Sequence, residues 1–246
     1  NAGLVFPLIN RIKQVAKRIA NIRFDLKPKG RNILMLAIID YDAGNLRSVA
    51  KALEKLGETP VITRNPAEIL SADHIILPGV GSFGDAMNRL HQYGLVDVIR
   101  KASASHIPFL GICLGLQLLF ASSEETPGVE GLGICSGKIL RIPDTEGLKI
   151  PHMGWNSLSY HREPGENPHG RLFAGIPEDS YVYFVHSYYL KADDPVIVTA
   201  TTEYGTHIHA SIEQGNVFGC QFHPEKSSST GLAILKNFLS IRKEEF

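Results

Sequence analysis

Cysteine is scarce in this chain: three residues in 246, at positions 113, 135 and 220. They form no CxxC pair and no closely spaced framework, a pattern that fits a reducing compartment better than a secreted one, so a cytoplasmic setting is expected. Long apolar runs are missing too. None reaches the roughly 18 residues that a membrane-spanning helix needs, so a soluble protein without a membrane partner is expected. An excess of one charge is also absent, with 25 Lys and Arg against 25 Asp and Glu. No internal repeat and no low-complexity tract occurs. What is present is an ordinary globular composition, 43% hydrophobic and 20% charged, in a length that suits one domain plus an appendage.

The zero net charge conceals an uneven distribution. Up to residue 36 there are eight basic side chains (Arg11, Lys13, Lys17, Arg18, Arg23, Lys27, Lys29 and Arg31) against Asp25 alone. Ile12, Val15, Ile19 and Ile22 recur at three- and four-residue intervals, as on one face of a basic amphipathic helix. Membrane surface, nucleic acid and targeting are the functional readings of such an arm. It lacks the serine enrichment of transit peptides, and "MLAIID" from Met35 looks like a natural start. Residues 1–34 are therefore expected to be a peripheral extension that binds neither membrane nor nucleic acid, and 35–246 the functional domain.

From Met35 onward, short apolar runs ("MLAIID", "HIILPG", "IPFLGIC") alternate with helical periodicities ("LRSVAKALEKLG", "DAMNRLHQYG"). This predicts an α/β fold with a mostly parallel, doubly wound sheet and flanking helices. In "NPAEIL", Asn65, Pro66 and Glu68 predict a cap, a first-turn proline and a reciprocal acidic partner. Beyond about residue 130 the texture becomes β-rich, before a last helix in "STGLAILKNFLSI". Ligands in such sheets bind at the carboxyl edge of the strands, which directs attention to "IDYDAGN", "LPGVGSFG", "LGICLGLQ" and "QFHPEKS".

In "IPFLGICLGLQLLF" a strand feeds directly into a helix, with Cys113 at the crossover and a glycine two residues to either side. The arrangement is similar to the serine nucleophile elbow with sulfur in place of oxygen. The amide of Leu114 is then expected to face the same space as the sulfur, and the glycines to let a substrate carbonyl approach. In "NVFGCQFHPE" the two-residue period puts Phe218, Cys220 and Phe222 on a packed face and Gln221 and His223 on the other. Cys220 is expected in the core. Pro224 ends the strand at His223, and Glu225 follows where a carboxylate can fix the imidazole tautomer. Cys113, His223 and Glu225 together have the makings of a nucleophilic triad. His207 and His209 alternate on a strand with no third ligand at suitable spacing, so no metal is expected.

"GICLGLQLLF" with "FHPE" resembles the triad-type glutamine amidotransferases. "PGVGSFGDAM", "PHMGWN", "YFVHSY" and "QFHPEKS" narrow the resemblance to the family of glutaminase subunits of imidazole glycerol phosphate synthases, from about Met35 to Phe246. The resemblance implies the amidotransferase-like fold and hydrolysis of L-glutamine through a thioester on Cys113, without a cofactor. His223 acts as acid and base and Glu225 as its orienting partner. It further implies an oxyanion hole from the Leu114 amide and one at Val80 or Gly81. Substrate contacts fall at Gly79, Gln117, His186, Ser187 and Tyr188. The ammonia would pass to a (β/α)8-barrel cyclase in a heterodimer serving histidine biosynthesis, with Asn45, Met153, Trp155 and Lys226 as expected interface residues. The alternatives are a glutaminase subunit of another synthase, such as anthranilate synthase, a cysteine peptidase or γ-glutamyl hydrolase, and a non-catalytic binding module.

Overall fold

Runs of buried aliphatic residues make the central strands. In the computed structural model, which describes residues 34–160 and 170–246, β1 (Leu36–Ile39), β3 (His74–Gly79) and β4 (Phe109–Cys113) are buried at every position. Strands covered on both faces need no polar alternation. With β2 (Val61–Thr63) and β11 (Val217–Cys220) they form a parallel group in the order β2-β1-β3-β4-β11. β10 (His207–Gln214) pairs antiparallel with β11 and continues the sheet through β8 (Tyr188–Ala192) to β5 (Gly137–Arg141), and β9 (Val198–Glu203) also pairs with β10. Strands β5, β8, β9 and β10 of the C-terminal half thus form an antiparallel extension of the same sheet. The basic arm, with its expected helix, lies outside the described residues.

The two-residue period of the strands sorts side chains into two cores. Ala37, Ile39, Ile75, Leu77 and Phe109 face one side, where they pack with α2 (Pro66–Leu70), α3 (Phe83–Gln92) and α4 (Val96–Ser103). Leu36, Ile38, Ile76, Leu110 and Ile112 face the other, against α1 (Leu46–Lys55) and α6 (Ser228–Ser240). Cys220 joins the second core with Phe218 and Phe222, as their shared face predicts. The Asn65 side chain caps α2 by accepting from the Ala67 N–H at 2.9 Å. Glu68 does not close the expected reciprocal bond. It accepts from the Thr63 hydroxyl instead, and that hydroxyl takes the Asn65 N–H.

The apolar stretch "YVYFVHSYYL" reads as one strand, but the chain changes sheets at Ser187. Before it, β7 (Tyr181–His186) pairs with β6 (His152–Ser157) in a separate two-stranded sheet; after it, β8 pairs with β5 and β10. Alternation in the small sheet buries Val182, Phe184, His152 and His186 and leaves Met153, Trp155 and Tyr181 outside. Among the described residues no helix is long and apolar enough to cross a membrane.

Candidate active site

Cys113 is at once the last residue of β4 and the N-cap of α5 (Leu114–Leu118), at φ 54° and ψ −109°. Few non-glycine residues adopt such a backbone, and it persists where packing on both sides over-determines it. The packing here is extreme. A Cβ on Gly115 would lie 1.8 Å from the Leu77 carbonyl oxygen, and one on Gly111 would lie 2.7 Å from the Gly115 oxygen. The two glycines therefore let α5 fold back onto β4 and β3. They serve the sharpness of the elbow.

His223 comes to the same place from the end of β11. Its N–H donates to the Tyr183 carbonyl, while the Ser227 hydroxyl donates to the His223 carbonyl and accepts from the Tyr183 N–H. The residue is thereby tied to β7. Nδ1 of the ring donates to Oε1 of Glu225 at 2.8 Å, with neither side chain exposed. Asn45, expected at a partner surface, is 6% exposed and donates to the same carboxylate oxygen at 3.3 Å. Nε2 of His223 is buried with no hydrogen bond of normal geometry. Burial by itself would lower the His223 pKa; the interactions of the ring with Cys113 and Glu225 outweigh it and raise the value to about 9.

Cys113 and His223 line one cavity of about 440 Å³. Val80, Gly81, Leu114, Gln117, His186, Ser187, Tyr188 and Lys226, all singled out from sequence, share its wall. Gly79 does not. It pairs with Cys113 across β3 and β4, and a Cβ there would lie 2.5 Å from the Tyr41 hydroxyl. Met153 and Trp155 lie on the outer face of β6. Sequence reasoning missed four residues. Glu125 lines the cavity from a loop without periodic signal. Tyr41 is buried and donates to the Pro78 carbonyl just before the 79–81 turn. Gln221, legible as sharing the His223 face, reaches Cys113. His152 touches His186.

His186 donates from Nδ1 to the Tyr188 carbonyl, and in the neutral ring its Nε2 then accepts from Nδ1 of His152 at 3.1 Å. Burial favours that neutral form in both rings. Burial lowers their pKa values from the ordinary 6.5 to about 3 for His186, with the neighbouring His152 adding to the effect, and to about 4 for His152. Between those values and 6.5 the unfolded chain binds more protons, so stability falls as the pH drops below about 6.5. His223 acts oppositely: its contribution is complete below about 6.5 and is lost as the pH rises through about 9. Urea unfolding midpoints are accordingly expected to decline on both sides of neutrality. A flat profile between about pH 7 and pH 5 would contradict the acid limb.

The fold and site have clear relatives. The class-I glutamine amidotransferase family matches over residues 37–241. "Imidazole glycerol phosphate synthase subunit HisH" of Moorella thermoacetica is 53% identical over 82% of this chain and 93% of its own length. The protein of the same name from Methanocaldococcus jannaschii is 49% identical over 84% of this chain and 100% of its own. Among solved structures, PurLQS from Thermotoga maritima superposes with a TM-score of 0.62 at 23% identity, covering 84% of this chain and 97% of that one. A structure described as glutamine amidotransferase gives 0.64 at 20% identity, covering 82% and 96%; both likenesses speak to the fold. A family match across the whole α/β domain, with relatives about half identical along nearly their full length, places the chain among the class-I glutamine amidotransferases, in the HisH group of imidazole glycerol phosphate synthase subunits.

Proposed function

We propose that this chain hydrolyses L-glutamine at Cys113 and hands the ammonia to a partner subunit that makes imidazole glycerol phosphate in histidine biosynthesis. The convergence of the strained Cys113 and the His223–Glu225 pair on one cavity carries the reading. His223 takes the thiol proton of Cys113 as the sulfur becomes nucleophilic. That sulfur attacks the side-chain amide carbon, forming the C–S bond and an oxyanion. The Leu114 amide is one donor to that oxygen and an amide of Val80 or Gly81 the other, each worth about 2.7–4 kcal/mol in the transition state. Collapse breaks the C–N bond while His223 gives its proton to the leaving nitrogen. The imidazole next takes a proton from water, hydroxide attacks the thioester, and the C–S bond breaks to release glutamate. No step calls for a cofactor.

Recognition of the amino-acid end follows from charge and hydrogen-bond capacity. Glu125 supplies a carboxylate in the cavity wall for an ammonium group, with one oxygen already accepting from the Phe83 N–H. Gln117 spends both Nε2 hydrogens on Tyr188 and Gln221, so it has an oxygen left to accept from a ligand. His186, Ser187 and Tyr188 border the same end. The partner, read as a (β/α)8-barrel cyclase, docks on the outer face of β6 and β7. There Met153 and Trp155 are 62% and 52% exposed, Trp155 meets the Tyr183 ring edge-on, and the Lys226 ammonium lies 5.9 Å above that ring. Because Tyr183 also holds His223, contact at this face is continuous with the catalytic side chains.

Glutamate release, measured with and without a barrel cyclase and its ligand, tests the reading. Release that rises in the complex is expected. Peptide hydrolysis by the chain alone, without glutamine turnover, would replace this function with that of a peptidase, and stimulation by an anthranilate synthase subunit instead would reassign the partner.

A further inference from the structure

Gln221 is wholly buried, two residues before His223. Its Oε1 accepts from Nε2 of Gln117 at 3.0 Å, and its own Nε2 lies 3.7 Å from Sγ of Cys113. The orientation of both amides is determined. A backbone carbonyl accepts and never donates, so the group of Gln117 that lies 2.9 Å from the Tyr188 oxygen is its nitrogen. The second hydrogen of that nitrogen goes to Gln221, which must present oxygen to Gln117 and nitrogen to the sulfur. The same Tyr188 oxygen accepts from His186, which accepts from His152. His152 is stacked on Phe184 and on Tyr204, which immobilises the far end of the chain in β6.

We propose that Gln221 is a positioning residue for the glutaminase reaction: its amide N–H, held in place by the Gln117–Tyr188–His186–His152 chain, fixes the Cys113 sulfur and favours its anionic form. The proposal rests on Cys113 being the nucleophile. In the thiol form the sulfur donates towards the Val185 carbonyl at 3.9 Å, a contact that deprotonation removes. The Gln221 N–H then points at a charged acceptor, and hydrogen bonds to charged groups are roughly twice as strong as neutral ones. His223 after β11, Tyr41 after β1 and Cys220 within β11 interact electrostatically with the sulfur, and Glu125, His186, Tyr188 and Lys226 line the same cavity. Among these groups the Gln221 amide is a neutral donor whose N–H lies on the sulfur itself. Burial alone requires partners for this amide; what a packing role does not require is that one of them be the Cys113 sulfur.

The test uses the full chain in complex with its partner, with Gln221→Met and Gln221→Glu compared to the parent. Two quantities are measured: the pH dependence of iodoacetamide labelling at Cys113, read by mass spectrometry of its peptide, and kcat and KM for glutamine. For Gln221→Met the labelling midpoint should rise by about one pH unit, with kcat lower by about tenfold or more and KM changed less. Gln221→Glu still accepts from Gln117 but sets a carboxylate beside the sulfur, so its midpoint should rise further. It also carries the test if the methionine variant does not fold. Folded variants that keep the parental midpoint and kcat overturn the proposal, as does a loss of thermal stability alone. Failure of the underlying reading would show separately, as glutamine turnover surviving in Cys113→Ala.

Discussion

Glutamate release in Cys113→Ala is expected to fall about 10⁶-fold, to the detection limit, while Cys135→Ala and Cys220→Ala keep most of the parental rate. All three thiols are buried, at 6%, 4% and 0% exposure, so burial does not distinguish them. Environment does. Burial raises the Cys135 pKa to about 12, and it raises that of Cys220 well above the ordinary value, with the nearby carboxylate of Glu225 and Cys113 adding to it. Neither sits on a strand-to-helix turn, lines the cavity or meets a cationic ring. Cys113 does all three, at a backbone conformation that the close approach of Gly115 to Leu77 enforces. Cys220→Ala should cost stability, because Cys220 packs with Phe218 and Phe222, while leaving the chemistry intact. Covalent trapping of a glutamine analogue on Cys220 would sink the assignment.

Glu225→Gln should lower kcat by about 10⁴-fold with little change in KM. The carboxylate accepts the Nδ1 proton of His223 and so dictates that Nε2 is the nitrogen free to exchange protons with sulfur, ammonia and water. A glutamine of the same shape can turn its NH₂ towards Nδ1 and select the opposite tautomer, placing the proton where the reaction cannot use it. Glu225 is also among the groups that raise the His223 pKa, so the variant's imidazole should titrate lower, a shift that NMR of the labelled ring would read. A variant that retained a tenth of the activity and an unchanged His223 midpoint would show that Asn45 or another neighbour orients the ring. Asn45 donates to the same carboxylate oxygen, which makes it a support of this acid.

The triad residues are legible in the chain because each is announced by local chemistry. Glycines around Cys113 mark a sharp strand-to-helix turn; β11 stops at Cys220, three residues earlier than the proline suggests, yet the two-residue period still separates Cys220 and Phe222 from Gln221 and His223. Continuous apolar runs mark the central strands β1, β3 and β4, which are covered on both faces. The basic arm of residues 1–34 is equally plain as composition, and its proposed role as an extension rests on composition alone.

Properties that depend on distant segments meeting were beyond local reading. Asn45 looks like an exposed turn residue until α1 and the turn after His223 bring it against Glu225, 180 positions away. "YVYFVHSYYL" looks like one strand because period-two alternation carries no information about which sheet each half joins; pairing with β6 on one side of Ser187 and with β5 and β10 on the other decides it. Gln117 reads as a substrate contact and Gln221 as a neighbour of His223 on the strand face, but nothing local joins them to each other or His152 to His186. Their hydrogen-bond partners are 104 positions apart for the glutamines and 34 for the histidines. Local sequence determined the elbow at Cys113, the segment that carries His223 and the apolar central strands, because turn chemistry and side-chain period act within a few residues. Tertiary structure alone decided which buried polar groups satisfy one another around them, because a hydrogen bond requires two groups in contact and the chain does not record contacts between its remote parts.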